Sequence, residues 1–112
     1  MNRSRAAAAI LVLTGTLVAP ALATTPKVVG NYKAGKKDFV LHACGSCHMM
    51  AAANQLDGSG AGPDLDNSRK TYAQIVTQIT NGGKGMTGYK KALTTTQIQD
   101  LAAFIYTVSH RS

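Results

Sequence analysis

The only two cysteines of this chain lie three positions apart and are followed at once by a histidine, in the segment Cys44-Gly45-Ser46-Cys47-His48. This Cys-x-x-Cys-His spacing is typical of covalent attachment of a c-type haem. Each thiol can add to one vinyl group, and the two-residue separation holds both sulfurs along one edge of the ring. The adjacent His48 then reaches the iron from one face, where a neutral imidazole is a strong axial ligand. The motif therefore predicts one haem c, bound through Cys44 and Cys47.

Three other uses of this segment stay open as alternatives. A thioredoxin-like redox pair is expected near a βαβ pattern, but no clear strand alternation flanks the motif. A structural zinc site needs four ligands, and only His42 and His110 remain to supply a further histidine or cysteine. An ordinary disulfide across so few residues would constrain little of the chain. The haem interpretation is favoured over all three.

The first 23 residues have the features of a secretory signal peptide. Arg3 and Arg5 give a positive start, residues 6–18 form an apolar run, and Ala21-Leu22-Ala23 is a small-x-small cleavage pattern. A retained membrane anchor would need roughly 20 unbroken apolar residues. We therefore predict that residues 1–23 are removed, and that residues 24–112 form one periplasmic domain with no stable membrane insertion.

Length and composition exclude several classes of protein. A chain of 112 residues is too short for a multidomain enzyme, and a hydrophobic fraction of 45% fits poorly with a disordered chain. A core of this size is marginal without a disulfide, a metal or another internal prop. The formal charge of +7 is basic, but no interleaving of aromatic and basic residues indicates a nucleic-acid partner.

The candidate for the second axial ligand of the iron lies in the glycine-rich segment 81–89, which contains a single methionine, Met86. A thioether is a soft ligand, and ligation by one histidine and one methionine raises the reduction potential. We predict Met86 as the sixth ligand of the iron. Met49 and Met50 directly follow His48 on its own side of the ring and are predicted to be packing residues. His110 is a candidate only if Met86 is not the ligand.

Periodicity and capping signals predict three helices around this site. They are a segment from Tyr32 to about Ala43, a segment that starts at the Thr71-x-x-Gln74 box and stops at Asn81, and a segment that starts at the Thr94-x-x-Gln97 box and ends near Ser109. The 20-odd residues between His48 and Thr71 form a long irregular loop, which in a compact domain is usually functional or packed on a ligand.

The mature chain resembles a class I cytochrome c of the small bacterial type across nearly its whole length. The resemblance is carried by Gly35 and Phe39, the attachment motif, Gly62-Pro63-Asp64-Leu65, Gly83-Lys84-Gly85-Met86 and residues 101–105. It implies the all-α class I fold, with three to five short helices wrapped around one covalently attached haem. It also implies that the first and last helices cross, with Gly35 and Phe39 against Leu101 and Phe104.

The resemblance has further implications for the site. The Pro63 carbonyl is implied to accept a hydrogen bond from the second ring nitrogen of His48, which would fix the imidazole. Thr87 follows Met86 where the family commonly has proline. With both axial positions filled, the implied role is that of a monomeric one-electron carrier rather than an enzyme.

Charge placement predicts how redox partners are found. Lys84, Lys90 and Lys91 surround Met86, with no acid between residues 82 and 99. Such a basic rim can steer docking onto an acidic partner.

The alternative hypothesis for the function is a haem c subunit of a periplasmic dehydrogenase or oxidoreductase complex. A ligand-sensing haem protein is a third possibility, and it would require an open iron.

Overall fold

The computed structural model describes residues 8–20 and 25–111, and the regular elements that form there are all helices, as predicted. Its elements are α1 (Tyr32–Leu41), a 3₁₀ turn at Cys44–Ser46, a second 3₁₀ turn at Ala51–Ala53, α2 (Tyr72–Asn81) and α3 (Thr95–Ser109). No strand forms in the described residues, apart from two isolated bridges. No helix in these two ranges has the length and apolar character to cross a membrane.

The segment predicted as a signal peptide is described only in part. Arg3, Arg5 and the predicted cleavage pattern at 21–23 lie outside the described residues. Residues 8–20 have no regular secondary structure, and all of them are exposed. The helical domain begins after this segment, with Asn31 as the N-cap of α1.

Both predicted capping boxes are present and start the second and third helices. The Thr71 hydroxyl accepts from the Gln74 backbone N–H at 3.2 Å, while the Gln74 side chain accepts from the Thr71 N–H at 2.9 Å. The same exchange joins Thr94 and Gln97, at 3.1 and 3.0 Å. Each box satisfies two backbone donors that a helix end otherwise leaves unpaired.

The first helix ends earlier than the sequence pattern predicted. It stops at Leu41, and His42 caps it. Ala43, which the pattern assigned to the helix, instead has a left-handed conformation with φ 54°. This turn is the physical reason for the difference, because it redirects the chain from α1 into the 3₁₀ turn that holds the first cysteine.

The predicted crossing of α1 and α3 is the centre of the core. Phe39 and Phe104 are both fully buried and meet edge to face, with ring centroids 5.8 Å apart. Gly35 lies so close to α3 that a Cβ atom there would overlap the Asp100 carbonyl and come within 2.8 Å of Phe104 Cβ. The small and aromatic positions predicted to meet do so, although Asp100 rather than Leu101 is the backbone nearest to Gly35.

A buried carboxylate ties the start of α1 to α3. Asp100 is 8% exposed, and its Oδ1 accepts a hydrogen bond of 2.7 Å from the Asn31 backbone N–H. A negative group at a helix N-terminus is favoured by the orphan N–H groups and the helix dipole. The contact spans 69 positions of sequence, so it links the two ends of the helical domain.

Candidate cofactor site

A cavity of about 670 Å³ opens between the three helices and the two loops that join them. This is in the size range of small-molecule and cofactor sites, which are mostly apolar with a few polar groups. Its walls include Phe39 from α1, Ile75 and Ile79 from α2, and Leu101 and Ile105 from α3. Every helix therefore contributes an apolar side chain to one shared pocket.

The predicted attachment motif forms one wall of this cavity, with Cys44, Cys47 and His48 all lining it. The motif is a single tight turn, in which the Cys44 carbonyl accepts from the backbone N–H groups of Cys47 at 3.3 Å and His48 at 3.0 Å. The Ser46 hydroxyl donates to the Ala43 carbonyl at 2.7 Å. The turn places both thiols and the imidazole on the same pocket.

The two thiols differ in exposure. Both are free, with Cys44 half-buried and Cys47 exposed. Burial, assisted by the charge of Asp38 and opposed by a backbone hydrogen bond, raises the pKa of Cys44 to about 11. Redox-active cysteines in Cys-x-x-Cys pairs usually have a lowered pKa, because the thiolate is the reactive form. Cys44 does not have this feature.

The His48 ring is held between a carbonyl and a glycine. Its Nδ1 lies 2.8 Å from the Pro63 oxygen, which is the hydrogen bond that the resemblance implied. A carbonyl can only accept, so Nδ1 is the donor and the lone pair of the neutral ring is on Nε2. Gly62 lies against the ring, where a Cβ would overlap the imidazole, and its N–H donates to the Cys47 carbonyl at 3.0 Å.

Met86 lines the same cavity from the glycine-rich loop and is half-buried. Two backbone hydrogen bonds between Gly83 and Met86, of 2.9 and 3.1 Å, close this loop into a turn. Gly82 begins it at φ 67° and ψ −148°, a conformation that is essentially restricted to glycine. A Cβ at Gly82 would overlap the Met86 carbonyl and the Gly88 nitrogen. Tight backbone contacts thus fix where the thioether is presented.

Gln78 is a site residue that the sequence pattern did not predict. Its Nε2 lies 3.7 Å from the Met86 sulfur and donates to the Gly83 carbonyl at 3.3 Å. A thioether is only a weak acceptor, so the stronger effect is on position, because one amide holds both the sulfur and its loop. No local sequence signal marks Gln78, because the contact depends on how α2 packs against the loop.

Two cations of the cavity, Arg69 and Lys70, were not predicted to belong to the site. They line the cavity together with Lys84 of the predicted basic rim, and no aspartate is among its lining residues. Cationic side chains beside an otherwise apolar cavity suit a largely apolar ligand that carries anionic groups, because they can pair with the carboxylates. A haem has this character, with an apolar ring and two carboxylates. The donor set, the volume and the charge of the cavity all fit that cofactor.

The residues that line the cavity do not include Met49, Met50, His42 or His110. Met50 is fully buried in the core, as predicted for a packing residue, whereas Met49 is 39% exposed and does not fit that prediction. His110 stacks on Tyr106 at 4.0 Å between ring centroids. Within residues 8–20 and 25–111, no three His, Cys, Asp or Glu side chains form a metal-binding group.

The chain is similar to known proteins in both sequence and structure. The family model described as cytochrome c oxidase, cbb3-type, subunit III matches residues 30–105. A cytochrome c6 of Rippkaea orientalis is 32% identical over 88 residues, which are 73% of this chain and 75% of that protein. The crystal structure of the c-type cytochrome SorU from Sinorhizobium meliloti is similar with a TM-score of 0.62 and 28% identity, covering 70% of this chain and 90% of that one.

Proposed function

Because the chain belongs to the class I c-type cytochromes, a family of haem-containing electron carriers, we propose that it is an exported one-electron carrier. Its single haem is bound through Cys44 and Cys47 and ligated by His48 and Met86. The observation that carries this proposal is that two thiols, one imidazole and one thioether line a single cavity of about 670 Å³. When bound there, the haem supplies an iron that cycles between Fe(II) and Fe(III).

The residues of this chain would keep the electron exchange fast by keeping the site rigid. Pro63 orients the His48 ring, while Gln78 and the Gly83 turn hold Met86. Neither group has to move when one electron is added or removed. The apolar walls exclude water, and their low dielectric disfavours the extra positive charge of the oxidised state, which raises the reduction potential.

Export and docking complete the proposal. Residues 1–23 are removed, so the mature periplasmic protein begins at Thr24, and intact-mass measurement should give residues 24–112 plus one haem. A mass that retains residues 1–23 would contradict removal.

Lys84, Lys90 and Lys91 are all exposed, and Lys84 lines the cavity. We propose that this basic rim docks acidic redox partners, so that transfer rates fall with salt.

A second candidate is supported by the description of the matching family, which names a subunit of an oxidase. In that case the chain is the haem c subunit of a periplasmic oxidoreductase complex. Such a subunit would co-purify with its complex and bury an apolar patch in it. A monomeric carrier should instead sediment alone as a single species of about the mass of one mature chain.

Replacing Met86 tests the proposed ligand set. In Met86→Ala we expect the ferric protein to lose its Met-dependent long-wavelength absorption band, because no thioether remains to fill the sixth position. The reduced form should then bind carbon monoxide rapidly, whereas the parent protein should resist it. Visible spectra of both oxidation states, before and after carbon monoxide is added, measure these effects.

Met49→Ala is the matched control, because Met49 is exposed and does not line the cavity. It should keep the parent spectrum and stay closed to carbon monoxide. The ligand assignment is wrong if Met86→Ala keeps the long-wavelength band. The covalent haem assignment is wrong if acid-acetone extraction removes all colour from the parent protein.

A further inference from the structure

The three helices differ sharply in the charge on their outward faces. The α2 sequence contains no charged residue, and in α3 the single charged side chain, Asp100, is buried. By contrast, α1 has three exposed lysines, Lys33, Lys36 and Lys37. Its one acid, Asp38, has only 14% of its side chain exposed. The lysines of α1 are not required merely to solvate a helix surface, because the exposed faces of α2 and α3 carry no charge.

The same side of α1 also exposes apolar side chains. Val40 is 49% and Leu41 65% exposed, although both are large aliphatic residues on a helix that packs in the core. At 3.6 residues per turn, the three lysines and these two residues form one continuous arc of the helix surface. This arc, called here the α1 outer face, consists of Lys33, Lys36, Lys37, Val40 and Leu41.

The apolar end of the α1 outer face is close in sequence to residues that line the cofactor cavity. Phe39, on the opposite side of the helix, lines the cavity, as do Ala43 and Cys44 just after it. Val40 and Leu41 are therefore within four residues of the first attachment cysteine. A partner in contact with them would sit close to the edge of the cavity at which the haem is proposed to be bound.

We propose that the α1 outer face is a second docking surface, used by an acidic redox protein. Its combination of apolar residues with neighbouring charges resembles the core and rim of protein interfaces, and lysines without facing acids complement a negatively charged partner. A membrane surface is less suited, because an interfacial helix needs a large apolar face and here only two apolar residues are exposed. The redox nature of the partner rests on the proposed function.

Two basic surfaces suit a protein that must meet both a donor and an acceptor. The basic rim comes from the loop after α2, whereas the α1 outer face leads to the attachment motif. Each surface then serves its own partner. Substitutions on one surface should impair the reaction of one partner more than that of the other.

The test removes two charges from the α1 outer face and compares an equal change elsewhere. Lys36→Gln/Lys37→Gln lowers the net charge by two, as does the control Thr96→Glu/Thr107→Glu, which changes exposed residues of α3. The probe is an acidic blue-copper protein, mixed with the reduced holoprotein in a stopped-flow instrument. We expect about a tenfold lower second-order rate constant for the lysine variant at low salt and less than a twofold change for the control.

Nuclear magnetic resonance titration measures which residues the partner contacts, independently of electron transfer. Adding the same acidic protein should shift amide signals within residues 33–41, and high salt should abolish the shifts. Leu41→Gln should weaken binding without changing its salt dependence, because no charge is removed. Vesicles of phosphatidylcholine and phosphatidylglycerol should leave these signals unchanged.

Several results would overturn the inference. Equal rate losses in the lysine variant and the α3 control would show an effect of net charge alone. Shifts confined to Lys84, Lys90 and Lys91 would place docking on the basic rim only, and shifts caused by vesicles alone would assign the face to membranes. Failure of the proposed function looks different, because a preparation without covalent haem would be colourless whatever binds to α1.

Discussion

Gly35→Ala is expected to lower the free energy of unfolding of the haem-loaded protein by about 3 kcal/mol, as a severe steric change in a packed core does. At an open helix position, replacing glycine by alanine would instead stabilise the helix by about 1 kcal/mol. The sign reverses here because the new Cβ would overlap the Asp100 carbonyl and press on Phe104. Both partners are buried, and α1 can relieve the overlap only by moving away from α3.

Denaturant titration followed by circular dichroism measures this difference. Lys36→Ala is the matched control, because Lys36 is exposed on the same helix, and its effect should stay within about 0.5 kcal/mol. A Gly35→Ala protein as stable as its parent would show that the two helices do not pack as closely as described.

The helices could be predicted from the sequence because their signals are local. Each capping box lies within four consecutive residues, and the chemistry of Thr71 with Gln74 is the same whatever the rest of the chain does. The end of α1 was predicted less well, since Ala43 has no residue-type signal for a left-handed conformation. Its φ of 54° is imposed by the turn of the attachment motif.

The residues of the candidate site could likewise be predicted only where their sequence signals are local. Both cysteines and His48 are given by one short motif, and Met86 stands out because it is the only methionine in a glycine-rich loop. Gln78 could not be predicted, because its amide reaches the Met86 sulfur only when α2 and the loop are folded together. Arg69 and Lys70 were missed for the same reason, since cavity lining is a property of the assembled fold.

Long-range polar contacts could also not be predicted from the sequence. The hydrogen bond from Asn31 to Asp100 joins residues 69 positions apart, and no spacing rule connects them. The contact of His48 with Pro63 was expected only through the resemblance to a known family. Physical reasoning from single residues thus gave the proposed ligands, while the residues that hold those side chains in place could be identified only from the fold.

The second large effect is expected at Gly62, which lies flat against the imidazole of His48. In Gly62→Ala the new Cβ would overlap the ring, so the ring must rotate or the loop must move. Either movement breaks the hydrogen bond of 2.8 Å between Nδ1 and the Pro63 oxygen. We expect this variant to lose about 2–3 kcal/mol of stability and to show weakened low-spin bands in the reduced spectrum at neutral pH.

Gly60→Ala is the matched control in the same loop. Gly60 has a positive φ, of 75°, which Gly62 does not have, and nothing lies within 4 Å of its added Cβ. Its cost should be limited to backbone strain of about 1 kcal/mol, and its visible spectrum should match that of the parent. The comparison therefore separates strain of the loop from displacement of the ligand. If both variants kept the parent spectrum and equal stability, Gly62 would not position His48.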